Sequence, residues 1–166
     1  RTNPRTNKEL ESINMDQEAL KIAITELWPT ATVEEGTEWL TIAIEPSEWL
    51  ALAQQLRQQE FLPFFFFFFV TCFELKTHLS MVYHLSSTSY RHNMVVKAKL
   101  DKAKPEIESV SHIWRTAELH EREQYEMFGV QFLNHPDLRL LILPDGWEGK
   151  NPMLKDFDDP INMIKL

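Results

Sequence analysis

The stretch HEREQYEMFG, residues 120–129, gathers the densest set of groups in the chain that could do chemistry. A zinc-hydrolase helix needs a second histidine four positions after the first, so that both rings leave one face, with a glutamate between them as base. Here that position is Gln124. A metal-dependent hydrolase using His120, Glu121 and Glu123 therefore stands only as an alternative. As an acid/base pair, Glu121 and Glu123 sit two residues apart and point to different sides of a helix. A structural role fits better. Trp114, Ala117, Glu121, Tyr125 and Phe128 fall on one helical seam, and a carboxylate among rings is costly unless paired. Arg115 and Arg122 are the nearby cations, and Glu118 and Arg122 have i, i+4 spacing. Gly129 is expected to close the helix. An ion-pair network at an interface follows, because an arginine fork suits desolvated carboxylates.

The other histidines offer little. His78, His84 and His92 could meet on one hairpin, but surface strand histidines are more often simply solvated. His112 and His120 lack a Cys or Asp at ligand spacing. Cys72 is the single cysteine of 166 residues, too few for an iron–sulfur cluster or an intramolecular disulfide, and it suits a reducing compartment. The four glycines, Gly36, Gly129, Gly146 and Gly149, write neither a dinucleotide fingerprint nor a phosphate loop. A formal charge of −8 without a basic cluster argues against a nucleic-acid surface.

The elements that must position the charged helix are legible from apolar spacing. Asn14 can cap a helix with Gln17 three residues on, and Leu20, Ala23, Ile24, Leu27 and Trp28 then form its buried stripe up to Pro29. Leu40, Ile42 and Ile44 alternate as a strand after a turn at Gly36. Ser47 starts a second helix whose inner face is Trp49, Leu52, Ala53 and Leu56. The run FLPFFFFFFV, residues 61–70, is too short for a membrane helix, which needs about 20 apolar residues. As a strand it puts rings on both faces, which predicts a central strand covered on each side. Leu79, Met81, Tyr83 and Leu85, then Met94, Val96, Ala98 and Leu100 beyond SSTSYRH, predict a hairpin. The fold class is α+β: a small mixed sheet with helices on one face, followed by the charged helix and an extended, proline-punctuated C-terminal tail.

Three regions result: an N-terminal tail over 1–12, which begins RTNPRTN and lacks an apolar signal core; an α+β domain over 13–104; and a helix with an extended partner-binding segment over 105–166. In the last region Pro136, Pro144, Pro152 and Pro160 interrupt apolar residues such as Leu141, Ile142, Trp147, Met153 and Phe157 that follow no period. Each large side chain left in water forgoes roughly 1.5–3 kcal/mol, so the tail needs a surface, preferably a partner's.

The segment EREQYEMFGVQFLNHPDLRLLI, residues 121–142, closely resembles the signature of the C subunit (30-kilodalton subunit family) of respiratory complex I, the proton-translocating NADH:quinone oxidoreductase. The likeness rests on Glu121, Arg122 and Glu123, then Glu126, Met127 and Phe128, then His135, Arg139, Leu141 and Ile142. LPDGWEG, Lys155-Asp156-Phe157, VYHLSSTSYRHNMVVKAKL and SVSHIW extend it over about residues 60–166. The family usually ends Gly-His-Pro-Leu-Arg-Lys-Asp-Tyr; GKNPMLKDF here carries one extra residue and no arginine before the lysine.

The resemblance implies a subunit without catalytic, cofactor-binding or metal-binding residues, with flavin and iron–sulfur clusters on partner subunits. It implies a place in the hydrophilic arm, against the D subunit that helps form the quinone site, peripheral to the cytoplasmic side of the bacterial inner membrane. Because the sequence stops at Leu166, a free C subunit is expected, not a C/D fusion. The corresponding subunit of a membrane-bound hydrogenase or formate hydrogenlyase is the near alternative. On this reading Glu121, Arg122, Glu123, Tyr125, Glu126, Phe128 and Gly129, the turn His135-Pro136-Asp137, and Arg139, Trp147, Lys155 and Asp156 form a structural hub that fixes the tail against core and partner.

Overall fold

The structure is a computed structural model that describes residues 17–35, 38–59, 64, 66–88 and 91–159. The expected cap at Asn14, the turn at Gly36, part of the SSTSYRH connection, and Pro160 lie outside these residues.

Five strands form a mixed sheet in the order β1-β2-β5-β4-β3: β1 (Thr32–Glu34), β2 (Leu40–Ile44), β3 (Phe66–Glu74), β4 (His78–Ser87) and β5 (His92–Asp101). Only β2 and β5 run parallel. The crossover between β2 and the hairpin contains α2 (Trp49–Gln58), which follows a 3-10 turn at Pro46–Glu48, so regular α-helix begins two residues after Ser47. α1 (Gln17–Leu27) buries Leu20 and Ile24, and α2 buries Trp49, Leu52, Ala53 and Leu56. These meet Ile42, Met81, Tyr83, Leu85, Met94, Val96 and Ala98 from one sheet face in a single core. Trp49 stacks on Tyr83 at 4.1 Å, which locks α2 to β4.

The phenylalanine strand is at the sheet's edge, not its centre, and its rings are not covered on both sides. A register shift between Phe67 and Phe69 marks a bulge, so Phe67, Val70 and Cys72 all turn inward. Phe66, Phe68 and Phe73 remain 45%, 54% and 41% exposed. An edge strand with this much apolar surface invites unwanted pairing unless its open side is blocked. The block is α3 (Ala117–Phe128), which packs along β3.

Sequence periodicity also missed β1 and a separate two-stranded sheet, β6 (Glu106–Glu108) paired parallel to β7 (Gln131–Leu133). Three residues are too few to show a period. This small sheet brackets α3 in the chain and fixes both of its flanks. From Asn134 to Asp159 the chain forms turns only, with no further helix or strand.

Candidate functional site: a polar helix that holds the tail

α3 buries Ala117 and Phe128 together with four polar side chains, Glu121, Arg122, Gln124 and Glu126. The predicted seam is therefore shifted: Gln124 lies inside, and Tyr125 is only half-buried against the core. Gln124 Oε1 accepts the backbone N–H of Cys72 at 2.9 Å, a strand donor with no ladder partner on that side. Just before the helix, Trp114 Nε1 donates to the Phe64 carbonyl at 3.0 Å and Thr116 Oγ1 to the Phe67 carbonyl at 3.3 Å. The residue that denies the metal motif thus closes the edge of β3. Beneath it, burial pushes the Cys72 thiol up to about 12, with Glu74 adding to the shift, so the thiol is inert at neutral pH.

Glu121 is wholly buried. Its carboxyl accepts Ser109 Oγ at 2.6 Å and Val110 N–H at 2.9 Å, from the connection that follows β6. Burial raises its pKa to about 7, against the lowering effect of those two hydrogen bonds. His135, just beyond β7, lies with Nε2 3.8 Å from Glu121 Oε2. Asp137 N–H donates to His135 Nδ1 at 3.0 Å, which leaves the ring proton on Nε2, donated to the Glu118 carbonyl at 3.1 Å. The imidazole so assigned is neutral, and the contact with Glu121 is not an ion pair.

The expected arginine–carboxylate network is not what forms. Arg122 Nε and Nη2 donate to the backbone carbonyls of Arg139 and Leu140 at 3.0 and 2.6 Å. One turn on, Glu126 accepts the N–H groups of Leu141, Ile142 and Leu143 at 2.8–3.1 Å. Carbonyls go to the cation and amides to the anion, so the two side chains grip the tail by its backbone alone, as an anion nest does. Arg115 is exposed, and Arg139 pairs locally with Asp137 at 2.9 Å beside exposed Pro136.

The tail then rounds the C-terminal end of α3. Gly129 ends the helix in the left-handed region at φ 77°, its N–H returning to the Tyr125 carbonyl. Met153 N–H satisfies the Met127 carbonyl at 3.1 Å. Between them Trp147 packs on Phe157 at 6.3 Å, with Lys150 Nζ 4.3 Å above its ring. Finally Lys155 N–H donates at 2.6 Å to Glu74 at the end of β3, which Lys102 also contacts. The Lys102 hydrogen bond and then that of Lys155 hold the Glu74 carboxyl below its ordinary value. The side chains of Glu123 and Asp156 make no hydrogen bond or ion pair among the described residues.

Held in this way, the strap packs Leu138 and Leu154 on the core but turns others outward: Leu141, Ile142 and Met153 are exposed, as is Leu119 on α3. The three hairpin histidines do not converge. His84 stacks on Phe69, His92 meets Phe64 at the opposite end of the hairpin from His78, and burial lowers the pKa of both His84 and His92. His120 lies beside Phe67 while Glu121 is engaged by Ser109 and Val110, so the hydrolase trio is not assembled. The roles of Ser109, Gln124 and Glu74 were not foreseen from the sequence. Only Gln124 had a usable signal, its place three residues after Glu121 on the buried side.

The profile of the family described as "Respiratory-chain NADH dehydrogenase, 30 Kd subunit" matches residues 42–161. The chain is 32% identical to the NADH-quinone oxidoreductase C subunit of Moorella thermoacetica over 131 residues, 79% of this chain and 88% of that one. It is 45% identical over 89 residues to the NADH-quinone oxidoreductase C/D subunit of Phocaeicola vulgatus, spanning 53% of this chain and 17% of that longer one. In fold it resembles a chain of the membrane-bound sulfane sulfur reductase, an archaeal respiratory membrane complex, with TM-score 0.76, 24% identity, and 87% and 86% of the two chains covered. The chain therefore belongs to the 30-kilodalton subunit family of the respiratory-chain NADH dehydrogenase.

Proposed function

We propose that this chain is the cofactor-free C subunit of the hydrophilic arm of an NADH:quinone oxidoreductase, and that it braces the quinone-site D subunit. In that role it supports electron transfer to quinone coupled to proton translocation, while flavin and iron–sulfur clusters reside on partner subunits. The observation that carries this reading is the strap: its backbone is bound to Arg122 and Glu126 while Leu141, Ile142 and Met153 face outward. A tail whose only purpose was to finish its own core would bury those side chains. A relative named C/D joins the two subunits in one chain, which supports D as the neighbour. No helix among the described residues is long and apolar enough to cross a membrane. The place we assign to the chain is peripheral, on the cytoplasmic side of a bacterial inner membrane.

Affinity purification of the full chain from its own cells tests this. The wild-type chain is expected to co-purify with the D subunit, and Ile142→Asp, which alters only an exposed side chain, to fold normally and lose at least tenfold of that recovery. Undiminished recovery with Ile142→Asp, or the absence of D from the wild-type eluate, would refute the proposal.

A further inference from the structure

Glu121 is a buried carboxyl that no Lys or Arg pairs with among the described residues. Each element around it contributes a neighbour. Ser109 and Val110 come from the connection after β6, and His135 from the turn after β7. Below lies Tyr83 of β4, whose phenol is pushed well up by burial first, then by Glu121 and by Cys72 of β3. On α3 itself, Arg122 is turned to the strap carbonyls, and Glu118 offers His135 its backbone oxygen. Ser109 Oγ stands 2.6 Å from Glu121 Oε2 and 2.8 Å from Ser111 Oγ, and Ser111 is half-exposed. Two hydroxyls thus connect the buried carboxyl to the surface.

We propose that Glu121 is a proton-binding site, loaded from solvent through the Ser109–Ser111 hydroxyl pair, whose occupancy sets how firmly the strap is docked at His135. With the proton bound, Glu121 O–H donates to Ser109 Oγ, Ser109 O–H donates to Ser111 Oγ, and the neutral His135 keeps both of its hydrogen bonds. When the proton leaves, Ser109 O–H turns back to Glu121. The new carboxylate, 3.8 Å from Nε2, then competes with the Glu118 carbonyl for the imidazole N–H. Ionisation therefore works against the 135–137 turn from which the strap departs. The pKa of about 7 agrees with this: it lies above the ordinary 4.5, so the stabilisation is full below about 4.5 and is lost as pH rises to about 7. None of this depends on the identity of the partner.

The test is amide hydrogen exchange of the full chain from pH 4 to 8, read as protection factors for Asp137 and Leu141–Leu143, with intrinsic rates divided out. Relative to Glu121→Gln, protection in the wild-type chain is expected to fall by up to about tenfold per pH unit between pH ~4.5 and ~7 and then to level off, because the open state leaves Glu121 at its ordinary value. Parallel profiles for the wild-type chain and Glu121→Gln would overturn the proposal. If that variant does not fold, carboxyl-carbon NMR of the wild-type chain decides: a Glu121 midpoint near 7 supports the site, and one near 4.5 refutes it.

Discussion

Glu126 shows what single residues do in this molecule. Three successive backbone N–H groups converge on its carboxylate, and hydrogen bonds to a charged acceptor are worth about 1.5–3 kcal/mol each when none is replaced by water. Leu141 and Ile142 are exposed, so water can recover part of the loss in Glu126→Ala. The expected cost is about 2 kcal/mol, localised to the strap and read as ~30-fold faster exchange at Leu141–Leu143 with the sheet amides unchanged. Uniform destabilisation of the whole chain, or no change at all, would be the contrary result. The sequence singled out Glu121, Arg122 and Glu126 but supplied the wrong partners for Arg122. Side-chain pairs on one helix follow from spacing, whereas backbone carbonyls delivered by an irregular tail follow no rule that a period can reveal.

At the scale of elements, α3 succeeds as a helix because its ends and flanks are fixed, not because it is amphipathic. Gly129 is the clearest case. A Cβ there would sit 2.7 Å from Asn151 Nδ2 at a φ of +77°, so both backbone strain and a clash with the tail oppose any side chain. Gly129→Ala is expected to lower stability by about 1–3 kcal/mol in urea unfolding. Adding Asn151→Ala should restore the part due to the clash and leave the part due to φ. Equal losses in the single and double variants would show that the tail does not press on the helix end. Helix α2, the strand β2 and the hairpin were legible because their buried residues keep a strict spacing. The phenylalanine strand was readable as a strand but not as an edge, since homopolymeric rings hide both the bulge and the side that faces α3. The strands β6 and β7 were silent because each is held mainly by the other.

For the whole molecule, the decisive feature is the division of labour along the strap. The carbonyls of Arg139 and Leu140 and the amides of Leu141, Ile142, Leu143, Met153 and Lys155 are held by α3, by the end of that helix and by Glu74, and Leu138 and Leu154 pack on the core, so the path is set before any partner arrives. Pre-ordering of this kind lowers the entropy lost on binding and leaves the apolar side chains free to supply contact. Composition already asked for such a surface, because the tail's large apolar groups follow no helical or strand period of their own. What composition did not reveal is that the tail is fastened by its backbone, which lets it be ordered and outward-facing together.

The most direct test places a photo-crosslinking amino acid at position 142 of the full chain and irradiates the assembled respiratory complex. A covalent adduct between this chain and the D subunit is expected. Adducts confined to the chain itself, in an intact complex, would contradict it.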